Sequence, residues 1–185
     1  MPELSLFLHL HGSLLALVLF PAAIYDGLYR RIPNWLTFPA MALGLALNGI
    51  LHGLQGITFS AVGMGIALIL YGALFFLRGM GAGDVKLMMA VGAIVGPRNW
   101  AGVAVCTAVL GLIAGICLIV TKRRGAETFA NLRFIVGRLF RLKVPHHERP
   151  ELQIGGKNAI SMPHGIVIGL GTAAYLGTAW VLTDF

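Results

Sequence analysis

Charge is what this chain has least of. Only 11% of its 185 residues are charged, against 57% that are hydrophobic, whereas a soluble domain carries about 25% charged residues. A mean hydropathy of +0.83 excludes a soluble globular domain and points to an integral membrane protein. Cysteine is nearly as scarce: Cys106 and Cys117 are the only two, both inside one apolar run, with no Cys-x-x-Cys spacing. That excludes a cysteine zinc module and gives no disulfide framework, so both read as small packing residues. The N-terminus lacks the positive n-region of a signal peptide, Glu3 being its only charged side chain before a long apolar segment, and a retained helix is expected there. No Gly-Lys-Ser/Thr follows any glycine cluster, which excludes a phosphate-cradling loop.

The apolar residues gather in runs of about 17 to 25, and a helix needs ~20 residues to span the hydrocarbon core. The expected fold is therefore all-α, a single polytopic domain over 1–185. Six transmembrane helices are predicted, at about 4–25, 35–53, 57–77, 84–97, 100–120 and 159–182. The fourth is short, reaching only ~21 Å against a core of ~30 Å, and is read as partly re-entrant or set in a thinned region. Glycines four apart, Gly92/Gly96, Gly111/Gly115 and Gly165/Gly169, read as close helix packing.

The loops alternate in charge. Of the 14 Lys and Arg residues, all but Arg98 fall in three segments, 26–34, 78–86 and 121–158. The positive-inside rule puts those segments in the cytoplasm and both termini outside. Within the basic 121–158 loop, Phe129, Leu132, Ile135, Val136, Leu139, Phe140 and Leu142 recur at helical spacing. An amphipathic helix at about 127–143 is expected between the fifth and sixth spans, lying on anionic lipid headgroups. The net charge of +7 follows this membrane topology, so no nucleic-acid partner is expected.

Against that background two acids need a reason. Asp26 and Asp84 stand at the edges of apolar runs, and Asp84 closes the stretch Gly81-Ala82-Gly83-Asp84. A carboxylate at a membrane boundary is retained chiefly where it pairs with another group or does chemistry. Spans two and three form a hairpin that returns the chain to the cytoplasmic face, so both acids lie on one side at similar depth. Two carboxyls within a few Å cannot both ionise readily, and the pair can then work as in an aspartic protease. The charged acid takes a proton from water attacking a peptide carbonyl; the protonated one polarises that carbonyl and supplies the leaving amine. Gly81 and Gly83 suit close approach of a substrate strand. The alternative is that both are hydrated interfacial acids paired with Arg30, Arg31 or Lys86.

Asp26-Gly27-Leu28-Tyr29-Arg30-Arg31-Ile32-Pro33-Asn34, followed by Leu36-Thr37, and Gly79-Met80-Gly81-Ala82-Gly83-Asp84-Val85-Lys86-Leu87 closely resemble the two signature segments of type IV prepilin leader peptidases. The likeness is greatest to the short, peptidase-only members of tight-adherence (Flp) pilus systems, and it covers about residues 5–120. Met162-Pro163-His164-Gly165 looks like the start of the family's final helix, with a histidine where an aromatic residue is usual. The resemblance implies that Asp26 and Asp84 are the catalytic pair. It also implies that the partners are prepilins or pseudopilins whose short basic leader is cut at the cytoplasmic face of the bacterial inner membrane. Larger relatives also N-methylate the new terminus through an N-terminal domain, often with paired Cys-x-x-Cys motifs, so methylation is expected to be absent here or done by another protein.

The neighbours of the acids carry further expectations. Pro33 and Asn34 start span two; Arg30, Arg31 and Lys86 set topology and could steer an acidic residue of the substrate or tune the aspartates; His164 could face the site. His9 and His11 are two apart on a helix and cannot form an i, i+4 metal pair, so no metal or other cofactor is expected. Two competing readings remain. Tyr25-Asp26 with Gly81-Ala82-Gly83-Asp84 is also similar to presenilin-like GxGD proteases, although their Pro-Ala-Leu motif is missing. A small proton- or ion-coupled transporter could use the two acids as a relay, but it would place them near the midplane and show two similar halves.

Overall fold

The computed structural model describes residues 2–77, 79–122 and 162–183, and within them the side chains from 9 to 178. The basic loop from 123 and its 127–143 helix, together with Arg78, lie outside the described residues. The described residues form helices α1 (Pro2–Tyr29), α2 (Asn34–Phe76), α3 (Ala82–Thr121) and α4 (His164–Thr183). Three stretches, His9–Tyr29, Asn34–Phe76 and Ala82–Thr121, are long and apolar enough to cross a membrane. The chain is thus a polytopic helical membrane protein.

At 43 residues, α2 drawn straight would be ~65 Å long, about twice the thickness of the hydrocarbon core. It is not straight. Gly53 takes φ 60 and ψ −141, a backbone conformation open to glycine and costly to residues with a Cβ. The chain reverses there, so that Asn48 Nδ2 lies 2.9 Å from Ser60 Oγ, although residues 12 apart along a continuous helix would be separated by ~18 Å. Gly56 lies directly against the Asn48 carbonyl, leaving no room for a Cβ. A second break falls at Gly96, φ 73 and ψ 178, next to Pro97. There Trp100 Nε1–H reaches back to donate to the Met88 carbonyl at 3.1 Å. The arms of α2 are thus 34–52 and 54–76, and those of α3 are 82–95 and 97–121.

The short 82–95 arm is the middle of the molecule. Leu87, Met88, Ala90, Val91, Ala93 and Ile94 are all fully buried. Both arms of α2 approach it through glycine: a Cβ on Gly44 would sit 2.9 Å from the Ala93 carbonyl carbon, and one on Gly63 would meet the Gly92 carbonyl oxygen. Outward-facing Leu17, Phe20, Ile69 and Ile113 are more than half exposed, as lipid-facing side chains would be.

Ending a helix inside such a bundle leaves its last four carbonyls without intrahelical donors, and without water each must be paired from elsewhere. Three are capped by side-chain amides. Asn48 Nδ2 lies 3.1 Å from both the Ala93 and the Ile94 oxygens, and Asn99 Nδ2 donates to Val95 O at 3.2 Å. The fourth residue beyond Ala93 is Pro97, which has no N–H to give. The Asn48 Oδ1 accepts from His11 Nε2 at 3.1 Å, which fixes the proton on that ring nitrogen because an amide oxygen only accepts. One buried amide therefore ties α1, both arms of α2 and α3 together.

The glycine pairs divide. Gly92 packs against the Gly63 backbone as expected of close helix contact, whereas Gly96 is a helix break, Gly165 faces Asp26, and a Cβ on Gly115 or Gly169 would meet nothing within 4 Å.

Candidate functional site

The last turn of α1 and the first turns of α2, α3 and α4 meet at one end of the bundle. α1 ends at Tyr29, where the Arg30 N–H donates to the Asp26 carbonyl at 3.0 Å. Arg30 takes a positive φ of 55, a left-handed terminating conformation. Pro33 is extended at φ −74 and ψ 143 and starts α2 with Asn34 as its first residue, as expected from the fixed φ and missing N–H of proline.

Asp26 lies inside the last turn of α1 and is 6% exposed. Its Oδ2 accepts the backbone N–H of Gly165 at 2.7 Å. Gly165 is the second residue of α4, so that N–H is one of the helix's free donors. A Cβ at 165 would stand 2.9 Å from the Asp26 Cβ and 3.1 Å from its Oδ2, so only glycine brings this backbone so near.

Asp84 occupies the first turn of α3, and its Oδ2 accepts the Gly81 N–H at 3.3 Å. Gly83 does not present open backbone: a Cβ there would lie 3.1 Å from the Ile32 Cβ. Its lack of a side chain lets the start of α3 close on the 30–33 connection that follows Asp26. The Lys86 ammonium donates to Asn34 Oδ1 at 2.8 Å and lies 5.3 Å from the centre of the Phe38 ring. Asn34 and Lys86, from the two signature segments, are thus direct partners.

The charges converge on Asp84, which lies within electrostatic reach of both His164 and Asp26. His164 is half-buried, and its Nδ1 lies 3.3 Å from the Met162 carbonyl. Arg30 and Arg31 are exposed on the same connection. Around them an aromatic group sits at the surface: Tyr25 lies 5.5 Å from Tyr29 and 5.7 Å, edge-on, from Trp35. Amphipathic rings of this kind favour the level of lipid headgroups.

Sequence reasoning overlooked three contributors. The Gly165 amide was hidden because its role belongs to backbone, and Gly165/Gly169 had the spacing of a packing pair. Tyr71, buried on the second arm of α2, also lies within electrostatic reach of Asp84, yet reads in sequence as one more apolar position. Trp35 was unremarkable beside Asn34.

Asp26 and Asp84 both fall within the stretch that matches a known family. Residues 13–116 match the model of the type IV leader peptidase family. A preflagellin peptidase of Methanocaldococcus jannaschii is 35% identical over 88 residues, covering 45% of this chain and 37% of that protein. A prepilin leader peptidase/N-methyltransferase of Neisseria gonorrhoeae is 32% identical over 121 residues, 62% of this chain and 42% of that protein. The chain thus spans less than half the length of these curated relatives. No solved structure matches.

Proposed function

This chain belongs to the type IV leader peptidase family, and on that footing we propose that it is a membrane aspartic endopeptidase. Its substrates are precursors of the pilin or flagellin type, with Flp-type prepilins and pseudopilins foremost, and it removes their short basic leader at the cytoplasmic face of the bacterial inner membrane. The observation that carries this reading is the meeting of Asp26 and Asp84, one from each signature segment, at one end of the bundle within electrostatic reach of each other.

Two acids so placed share a single proton. The charged carboxylate removes a proton from water while the water oxygen bonds to the scissile carbonyl carbon, and the protonated carboxyl polarises the carbonyl oxygen. When the C–N bond breaks, that second carboxyl gives its proton to the leaving amine. The proton gained from water then passes across the pair and restores the starting state. Gly83, Pro33 and the Lys86–Asn34 bond support the reading by holding the two segments together. Arg30 and Arg31 supply positive charge on the same connection, and His164 stands beside Asp84.

We further propose that the two arms of α2 and of α3, with α1 and α4, make six crossings and that both termini lie outside, as the charge asymmetry of the loops supports. The test is cleavage of a prepilin with a basic leader by the purified protein in detergent. Asp26→Asn and Asp84→Asn should each lower the rate by about 10⁴-fold while the proteins remain monodisperse. Undiminished cleavage by either variant would sink the catalytic pairing.

A further inference from the structure

We infer that the first turn of α4 makes the two aspartates unequal: Asp26 carries the charge and activates water, and Asp84 holds the proton. This rests on the peptidase reading and adds the division of labour within the pair.

The carboxylates receive different partners. The Gly165 N–H meets Asp26 Oδ2 at 2.7 Å, at the short end of the range of about 2.7–3.2 Å for N–H···O bonds, on the side where charge-assisted bonds fall. The Gly81 N–H meets Asp84 Oδ2 at 3.3 Å, beyond the ~3.2 Å limit of good N–H···O geometry. Both acids face a helix start, so the partial positive charge there does not by itself separate them. Burial and origin do. Asp26 is the more enclosed side chain, and a charge so enclosed persists only with a well-made partner. Its donor comes from a different helix, 139 residues away in sequence, and the absence of a side chain at 165 is what admits it. Among the described residues Asp84 is bonded at its own helix start, to the Gly81 N–H, and it is the less enclosed of the two acids.

The titratable and charged groups around the pair are His164 on α4, Lys86 on α3 and Tyr71 on the second arm of α2, with Arg30 and Arg31 exposed on the connection after α1. Lys86 donates to Asn34. His164 lies within electrostatic reach of Asp84 and in its charged form would oppose this division, so it must be varied as well.

The chain contains three aspartates, Asp26, Asp84 and Asp184, so carboxyl-labelled aspartate gives a simple infrared spectrum. At about pH 5 in detergent, above the ordinary carboxyl range, the protonated-carboxyl band should be present in the unaltered protein and in His164→Asn. It should persist in Asp26→Asn, where the new amide oxygen can still accept from Gly165, and vanish in Asp84→Asn. A band retained in Asp84→Asn, lost in Asp26→Asn or in His164→Asn, or missing from the unaltered protein overturns the inference.

A second arm uses activity. Gly165→Ala should lower kcat about tenfold or more with KM within about twofold, because its Cβ displaces Asp26 Oδ2. Gly169→Ala, one turn on, where a Cβ meets nothing within 4 Å, should leave both unchanged. Full kcat in Gly165→Ala overturns the inference; if that variant does not fold, the infrared arm decides. Because the infrared arm needs no substrate, failure of the unaltered protein to cleave any precursor would count against the peptidase reading alone.

Discussion

Gly83 and Lys86 do the work of drawing the two acidic segments together, and neither touches the other carboxylate. Gly83 admits Ile32 where a side chain would stand, and Lys86 bonds Asn34 across 52 residues of sequence. Gly83→Leu should therefore push the start of α3 off the 30–33 connection and lower kcat about tenfold or more, read from initial rates on a prepilin. At this scale the sequence was legible wherever chemistry shows in a side chain: Asp26, Asp84, Pro33, Asn34 and Lys86 all stood out. It was silent where the contribution is a backbone amide, as at Gly165, or where the use of a glycine depends on what lies opposite, as at Gly83. No pattern within one segment specifies either.

Among the elements, the breaks at Gly53 and Gly96 decide how much helix fits the bilayer. Both were near the predicted limits of neighbouring spans, at 53 and at 97–100, because glycine and proline interrupt apolar runs visibly. The limits moved where the sequence marked an end with a charge: α1 continues to Tyr29 rather than stopping near 25, and α3 begins at Ala82, so both aspartates sit inside helical turns. A carboxylate with a hydrogen-bond partner does not have to end a helix.

Gly53→Ala should cost about 1–2 kcal/mol by forcing a side chain into positive φ. Gly65→Ala, where a Cβ meets nothing within 4 Å, should instead stabilise by about 0.5–1 kcal/mol. Both are measurable as denaturant unfolding in mixed micelles. Asn48→Leu should cost more. It strips a shared pair of N–H donors from the buried Ala93 and Ile94 carbonyls and removes the amide oxygen that His11 meets, so a loss of about 2–3 kcal/mol or more is expected in the same assay. Asn48 and His11 were not singled out for this role, since their pairing spans 37 residues and joins separate helices.

For the molecule as a whole, the proposed orientation rests on charge asymmetry and the proposed six crossings on the breaks at Gly53 and Gly96. A cysteine-free background carrying Leu54→Cys should be modified by a membrane-impermeant maleimide in intact cells. Lys122→Cys should be modified only after lysis. The reverse pattern would invert the topology and place Asp26 and Asp84 at the outer face.

The capping of the 82–95 arm also bears on how the protein is made. Its last-turn carbonyls at Ala93 and Ile94 find their donor on Asn48, a residue that leaves the ribosome some 45 positions earlier and enters the bilayer with the preceding hairpin. A segment that could not be soluble in lipid alone thus meets its partner already in place, and vectorial synthesis supplies the order of assembly. Were the two segments exchanged in the gene, the same contacts would be available only after an uncapped helix end had waited in the membrane.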